Sequence, residues 1–225
     1  MRRYHRCVNP EDVKHLWDFL TATSGALVGT AVGAGMAFWL ERHKRELEIE
    51  ERNVAAANLA IFQLGRAYDY LFQYQNEVID PNRGKRLAWL HMARREISPS
   101  DSIRIDLGTL GFLFTSSDSD APSLVSVELD RFAAIWRMVD QVKSLVTEEA
   151  RPQMEQMRVP DGASAEQIEQ AVGIRVHRAL TSLTASIIEH VDMNLPSILA
   201  TARRVHAATV SLYPSRRVIA FYPKT

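Results

Sequence analysis

The side chains in this sequence best suited to metal or acid–base chemistry are His177, His190 and His206, and the aspartates Asp101, Asp106, Asp118 and Asp120. Their spacing does not assemble a site. The three histidines are too far apart to share one helical metal face, which leaves them surface or core-edge roles, and the aspartates read as caps and turns. No glutamate has a histidine three residues later, so the Glu-x-x-His pair of di-iron helical proteins is missing. There is no His-Glu-x-x-His, no Gly-x-Ser-x-Gly and no Gly-x-x-x-x-Gly-Lys. Cys7 is the only cysteine, so neither an internal disulfide nor a cysteine-rich zinc site can form. The sequence predicts no catalytic residue, no metal and no cofactor, and a protein that is not an enzyme.

The strongest signal lies elsewhere. From Phe19 to Leu40 there is no charged residue. That run is about 22 residues, or about 33 Å as a helix, enough to cross a hydrocarbon core of about 30 Å. Trp17 and Trp39 stand at its ends, where indole rings favour the headgroup layer. Arg42, Lys44 and Arg45 follow it as interface cations. Residues 19–40 are therefore expected to be a transmembrane helix. A buried core helix is disfavoured because glycines 25, 29, 33 and 35 would each cost about 0.8–1 kcal/mol relative to alanine in water. A cleavable signal peptide is disfavoured because the apolar run exceeds the usual core of about 7–15 residues. Asn9 can cap the helix, Pro10 suits its first position, and Glu11 and Asp12 complement its dipole. Basic residues flank both sides, with Arg2, Arg3, Arg6 and Lys14 before and Arg42, Lys44, Arg45 and Arg52 after. Next to the membrane the C-terminal side is denser in positive charge, which places the domain beyond it in the cytoplasm.

Gly25, Gly29 and Gly33 recur every fourth residue, the small-xxx-small spacing that lets helices approach closely in lipid. A seven-residue register extends that face. Phe19, Ala26, Gly33, Leu40, Leu47, Val54, Ile61 and Tyr68 form one row; Ala22, Gly29, Met36, His43, Glu50, Ala57, Leu64 and Leu71 form its companion. Two readings stand at this point: a parallel coiled coil between copies, or a lone helix whose lower half packs on its own domain.

Residues 1–18 are a short flank, 19–40 the membrane helix, and 41–53 a charged helix with i,i+4 pairs Glu41–Arg45 and Glu48–Arg52. Residues 54–210 form the helical domain. Apolar stripes at helical period run through Ile61, Leu64, Tyr68 and Leu71, then Leu129, Phe132, Trp136, Val139 and Val146, then Ile168, Val172, Val176, Leu180, Leu183, Ile187 and Val191. The expected breaks are Asp80–Gly84, Pro99, Arg151–Pro152 and a linker over 153–163, with Ser164 capping the next helix. Residues 103–107 alternate like a strand before an apolar knot. Pro196 either kinks one helix or reverses the chain. The fold class is all-α: a transmembrane helix running into a long charged helix, then an antiparallel helical bundle.

Residues 211–225 are a basic aromatic tail. After Asp192 there is no acid, whereas Arg216, Arg217 and Lys224 are interleaved with Phe221 and Tyr222. Such a tail can lie on anionic lipid, provided the bundle holds an even number of long helices and so returns it to the bilayer. Net charge is zero, so nucleic acid is not an expected partner.

Residues 25–53, GALVGTAVGAGMAFWLERHKRELEIEERN, resemble a broad, loosely defined group of bacterial proteins of unknown function. These share a Gly/Ala-rich membrane helix, a Trp-Leu-Glu-Arg-like exit and a charged helix. The resemblance implies a single-pass inner-membrane anchor with a cytoplasmic domain, and it carries over no catalytic residue. The sequence leads to a membrane-anchored interaction or signalling scaffold. Its partners would be the bilayer, a second copy through the membrane and juxtamembrane helix, and a protein not identified by sequence. The alternatives are an effector of a stress or anti-phage system that self-associates in the bilayer, and an enzyme with an unrecognised site.

Overall fold

A computed structural model describes the backbone of residues 10–94 and 103–222 and the side chains of 33–94 and 103–222. Every regular element in it is helical. The chain divides into two compact units, Met1–Glu51 and Arg52–Thr225. Helix α1, Pro10–Tyr74, begins at the proline the sequence assigns to its first position. Of the expected membrane helix, only residues 33–40 have described side chains; Trp17, Gly25 and Gly29 lie outside them. Among the described residues no helix is long and apolar enough to cross a membrane.

The second unit is built on the end of α1, on α3 (Ala121–Leu145) and on α6 (Ile174–Leu212), with short helices α2 (Ala88–Met92), α4 (Arg151–Gln156) and α5 (Ala165–Val172) between them. Contacts fix the directions. Asp118, Glu128 and Glu149 meet Arg204, Ser197 and Arg175 in reverse order, so α6 runs antiparallel to α3. Asn53 meets Tyr213 and Gln75 meets Asp192, so α6 also runs antiparallel to α1. Helices α1 and α3 are consequently parallel, and the chain between them crosses over through α2 and a 3₁₀ segment, Leu107–Thr115. One apolar core joins Ala57, Ala60, Ile61, Leu64 and Leu71 of α1 to Phe132, Ile135, Trp136 and Val139 of α3 and to Leu180, Ile187, Val191, Ile198 and Val205 of α6. Tyr74 and Phe132 both meet Trp136 edge-on, at 5.3 and 6.0 Å.

The structure resolves or corrects four points of the sequence reading. Pro196 does not reverse the chain: it sits inside α6, so the unit has three long helices rather than four. Leu195, Ile198, Ala202 and Val205 continue the buried stripe of Val191 across it; that burial outweighs the missing N–H and the ring's clash with the preceding turn. Conversely, the helix expected from Ser164 onward is broken at Gly173, which takes φ +78° and ψ 151°. Ser164 does cap α5, in a reciprocal box with Gln167. The helix expected to end over Asp80–Gly84 does end there, through a π-helical turn, Gln75–Ile79, and a 3₁₀ turn, Asp80–Asn82; at Pro152, where an end was also expected, a π-helical turn, Val146–Ala150, leads on into α4. In the two π turns the N–H of Asp80 and of Arg151 bonds five residues back, to Gln75 and Val146. That widening re-aims the carbonyls the proline ring would crowd, and at Pro152 the helical path continues. Finally, residues 103–106 are irregular, not a strand, and the apolar knot after them is the 3₁₀ segment, whose Leu110 and Leu113 enter the core.

Candidate functional site

Within the first unit, the described end of the expected membrane span is bare. Met36, Phe38, Trp39 and Leu40 are 65, 70, 61 and 56% exposed. At 100° per residue they point in three directions around α1, with Met36 and Leu40 one turn apart on the same side, so a single partner helix could not cover all of them as a stripe covers a core. Burying one such side chain is worth about 1.5–3 kcal/mol, which this helix forgoes four times in water. The following turns carry the predicted interface cations, each with an acid one turn away. Arg45 bonds Glu41 at 2.6 Å, Arg42 bonds Glu46 at 3.1 Å, and Lys44 lies 3.7 Å from Glu48. All are exposed, and such pairs contribute about 0.3–0.5 kcal/mol. The His43 imidazole stacks on Trp39 at 5.7 Å.

On the glycine face, Gly33 is exposed, and a Cβ built there meets nothing within 4 Å. The seven-residue seam divides. From Val54 onward it is spent on the chain's own core, where Val54, Ala57, Ile61, Leu64 and Leu71 are buried. A coiled coil between copies cannot use those positions.

The tail is docked at three points. The Tyr213 hydroxyl accepts from Asn53 at 2.8 Å, and its ring lies 5.8 Å from Phe112. The Ile219 N–H donates to the Asn58 side chain at 2.9 Å. The Phe221 ring lies edge-on to Tyr68 at 5.5 Å and covers Gly65, whose lack of a side chain makes room for it. Arg217 and Tyr222 face solvent, Arg216 is half-buried, and Lys224 lies outside the described residues. The tail thus begins beside Asn53 although α6 was not reversed at Pro196, because α1 and α3 are parallel.

Ionisable side chains from distant segments meet near α2. Arg86 bonds both Glu166 and Glu169 of α5, and its hydrogen bond holds the Glu169 carboxyl below the usual range. His177 Nε2 lies 3.7 Å from Glu169, and its ring stands edge-on to Trp89 at 6.4 Å. Beside this cluster is a cleft of about 450 Å³ between α2 and the turn joining α4 to α5. Its lining includes Leu90, His91, Arg94, Arg151 and Met154. Partial burial, then Lys85 and Arg94, push the His91 imidazole below its ordinary value.

The other sequence candidates keep structural roles. Asp106 caps the 3₁₀ segment through Gly108 N–H, Asp118 pairs with Arg204 at 2.5–2.6 Å, and Asp101 lies outside the described residues. His190 is exposed and His206 half-buried. Among the described residues no three His, Cys, Asp or Glu side chains gather as metal ligands would. Neither the Arg86 cluster nor the cleft has a sequence signature, because each is assembled from segments far apart in the chain. No family model, curated protein or solved structure matches this chain.

Proposed function

We propose that the protein is a membrane-anchored interaction scaffold: a single-pass helix over residues 19–40 tethers a helical-bundle domain to the bacterial inner membrane, on its cytoplasmic side. The observation that carries this reading is the group of Met36, Phe38, Trp39 and Leu40, exposed on three sides of the helix, at the end of a run without charge. Lipid covers such a surface evenly; a protein partner covers one stripe of it. An outward pair on α1, Leu59 and Phe62, lies opposite the buried stripe of Ile61 and Leu64 and supports docking of a protein partner. Self-association belongs to the same proposal, and the seam limits it to positions before Val54.

Cell fractionation tests the anchor. Full-length protein should float with membranes in a density gradient and resist carbonate extraction, and a chain lacking residues 1–43 should stay soluble and helical. Full-length protein that remains in the supernatant after ultracentrifugation without detergent overturns the reading. A photoreactive amino acid at position 62 tests the scaffold; it should give a discrete crosslinked adduct in cells, and no adduct removes Phe62 from the docking face.

A further inference from the structure

The cleft beside α2 falls within the size range of small-molecule sites, about 300–1,000 Å³. Leu87, Leu90, Met154 and Ile168 give it an apolar wall. Arg94 and Arg151 give it two exposed guanidiniums. Neither has an ion pair among the described residues, although Glu155 stands one turn along α4 from Arg151. Beside partial burial, the charges acting on His91 are Lys85 and Arg94, both cations, and all of these favour the neutral imidazole. The opposite wall is held in a fixed turn. Arg158 takes φ +51°, a left-handed conformation strained for a residue with a Cβ, and Gly162 takes φ +84°. The bonds Val159 N–H to Met154 carbonyl and Ala163 N–H to Pro160 carbonyl, 3.0 and 3.1 Å, close that turn. A preformed cleft with an apolar wall, two guanidiniums and two carboxylates has the mixed lining of a ligand site.

We propose that this cleft binds a small organic monoanion, with Arg94 and Arg151 on its carboxylate and the wall of Leu87, Leu90, Met154 and Ile168 on its apolar body. Glu155 and Asp161 line the same cleft. With one carboxylate for each guanidinium the lining carries no net charge, so it gives a multiply charged phosphate little advantage over a single carboxylate that Arg94 and Arg151 can grip. A guanidinium is suited to a carboxylate because its fork matches the two oxygens. The site is independent of the membrane reading and would serve the domain as a ligand sensor whether or not the chain is anchored.

The probe is 4-phenylbutyrate, with 4-phenylbutanol and 4-phenylbutylamine as its neutral and cationic counterparts. All three are titrated into the full-length protein in an uncharged detergent, with empty micelles subtracted. The carboxylate should bind saturably and at least tenfold more tightly than either counterpart. Arg94→Gln with Arg151→Gln should weaken it at least tenfold, and Arg178→Gln, at a site outside the cleft, should leave it unchanged. In the unsubstituted protein the His91 ring resonances should shift saturably with the carboxylate, a reading that needs no variant to fold. Equal binding of the alcohol, tighter binding of the amine, retention of affinity by the double variant, or unmoved His91 resonances each overturn the proposal.

Discussion

Gly65 is where the docking of the tail can be separated from the stability of the domain. A Cβ at this position would lie 3.0 Å from Cδ2 and Cε2 of Phe221. In Gly65→Ala two effects oppose. The helix gains about 1 kcal/mol from replacing an interior glycine, and the ring must retreat by a few tenths of an ångström. Phe221 sits on an irregular segment, which yields more easily than a packed helix would. The domain should therefore melt slightly higher. In Gly65→Leu the new side chain fills the place of the ring, and the segment around it must lift. What is lost is the half-burial of Phe221, about 1 kcal/mol from a full value of about 1.5–3, and the Ile219–Asn58 hydrogen bond, about 0.5–1.5 kcal/mol. A loss of about 2 kcal/mol raises the undocked population roughly thirtyfold.

Trypsin cleavage after Arg217, followed by mass spectrometry, reports that population when opening is fast relative to cutting. The full-length Gly65→Leu protein should be cut at least tenfold faster than the parent, with its far-UV melting nearly unchanged. Gly65→Ala should be cut only slightly faster. Parental cleavage rates in Gly65→Leu would refute the claim that the Phe221–Gly65 contact holds the tail.

Acid should weaken the α3–α6 pairing at Asp118. Its hydrogen bond from Arg204 puts its folded pKa below the unfolded value of about 3.9, so its contribution is complete above about pH 5 and lost as pH falls through the folded pKa. Urea midpoints of the parent and Asp118→Asn should differ at pH 6 and converge on acidification; a constant difference contradicts the linkage. Pro196→Ala should restore a backbone donor to the middle of α6 and raise stability by about 1–3 kcal/mol in urea unfolding; destabilisation would mean that packing of α6 depends on the local geometry proline imposes. In a membrane two-hybrid assay, Gly33→Ile should weaken self-association and Gly35→Ile should not. Both positions have open space for a side chain within the chain, so equal effects sink the glycine-face proposal.

The long elements were legible because each buries one stripe at helical period. Phe132, Trp136, Val139 and Val146 of the α3 stripe are buried, as are Val172, Val176, Leu180, Ile187 and Val191 of the next one. Capping was legible where a local bond fixes it, as at Ser164 and Gln167. Prolines and glycines were less informative, since their cost is weighed against burial elsewhere. Pro196 is overridden by Leu195 and Ile198, and Pro152 by a π turn that leaves no sign in residue type, whereas the end read over Asp80–Gly84 is where the first long helix stops. At Gly173 the chain takes a positive φ that glycine allows, and the helix breaks there although Val172 and Val176 on either side are buried. The tail reads as a basic aromatic segment by composition, but the inward turn of Phe221 depends on the bare backbone at Gly65, a partner more than 150 residues away. The cleft depends in the same way on Leu90 and Arg94 meeting Arg151 and Met154.

The seven-residue seam shows what periodicity can and cannot specify. It marks one continuous stripe along α1 but does not say what covers it. From Val54 onward α3 and α6 of the same chain do, and a second copy would have to displace a packed core to reach Ile61 or Leu64. Before Val54 the stripe is open: Met36 and Leu40 are exposed, and Leu47 nearly as much. That open part is not uniformly apolar. His43 and Glu50 interrupt one row within two turns, and a polar residue at such a position costs a coiled coil stability. Association between copies through the charged helix alone would therefore be weak. Under the proposed membrane anchor, stronger association would come from the glycine spacing upstream, because small side chains allow backbones to close together in lipid. On this argument, anchoring and self-association stand on the same residues, so a substitution at Gly33 that spares membrane partition while removing association would separate the two roles.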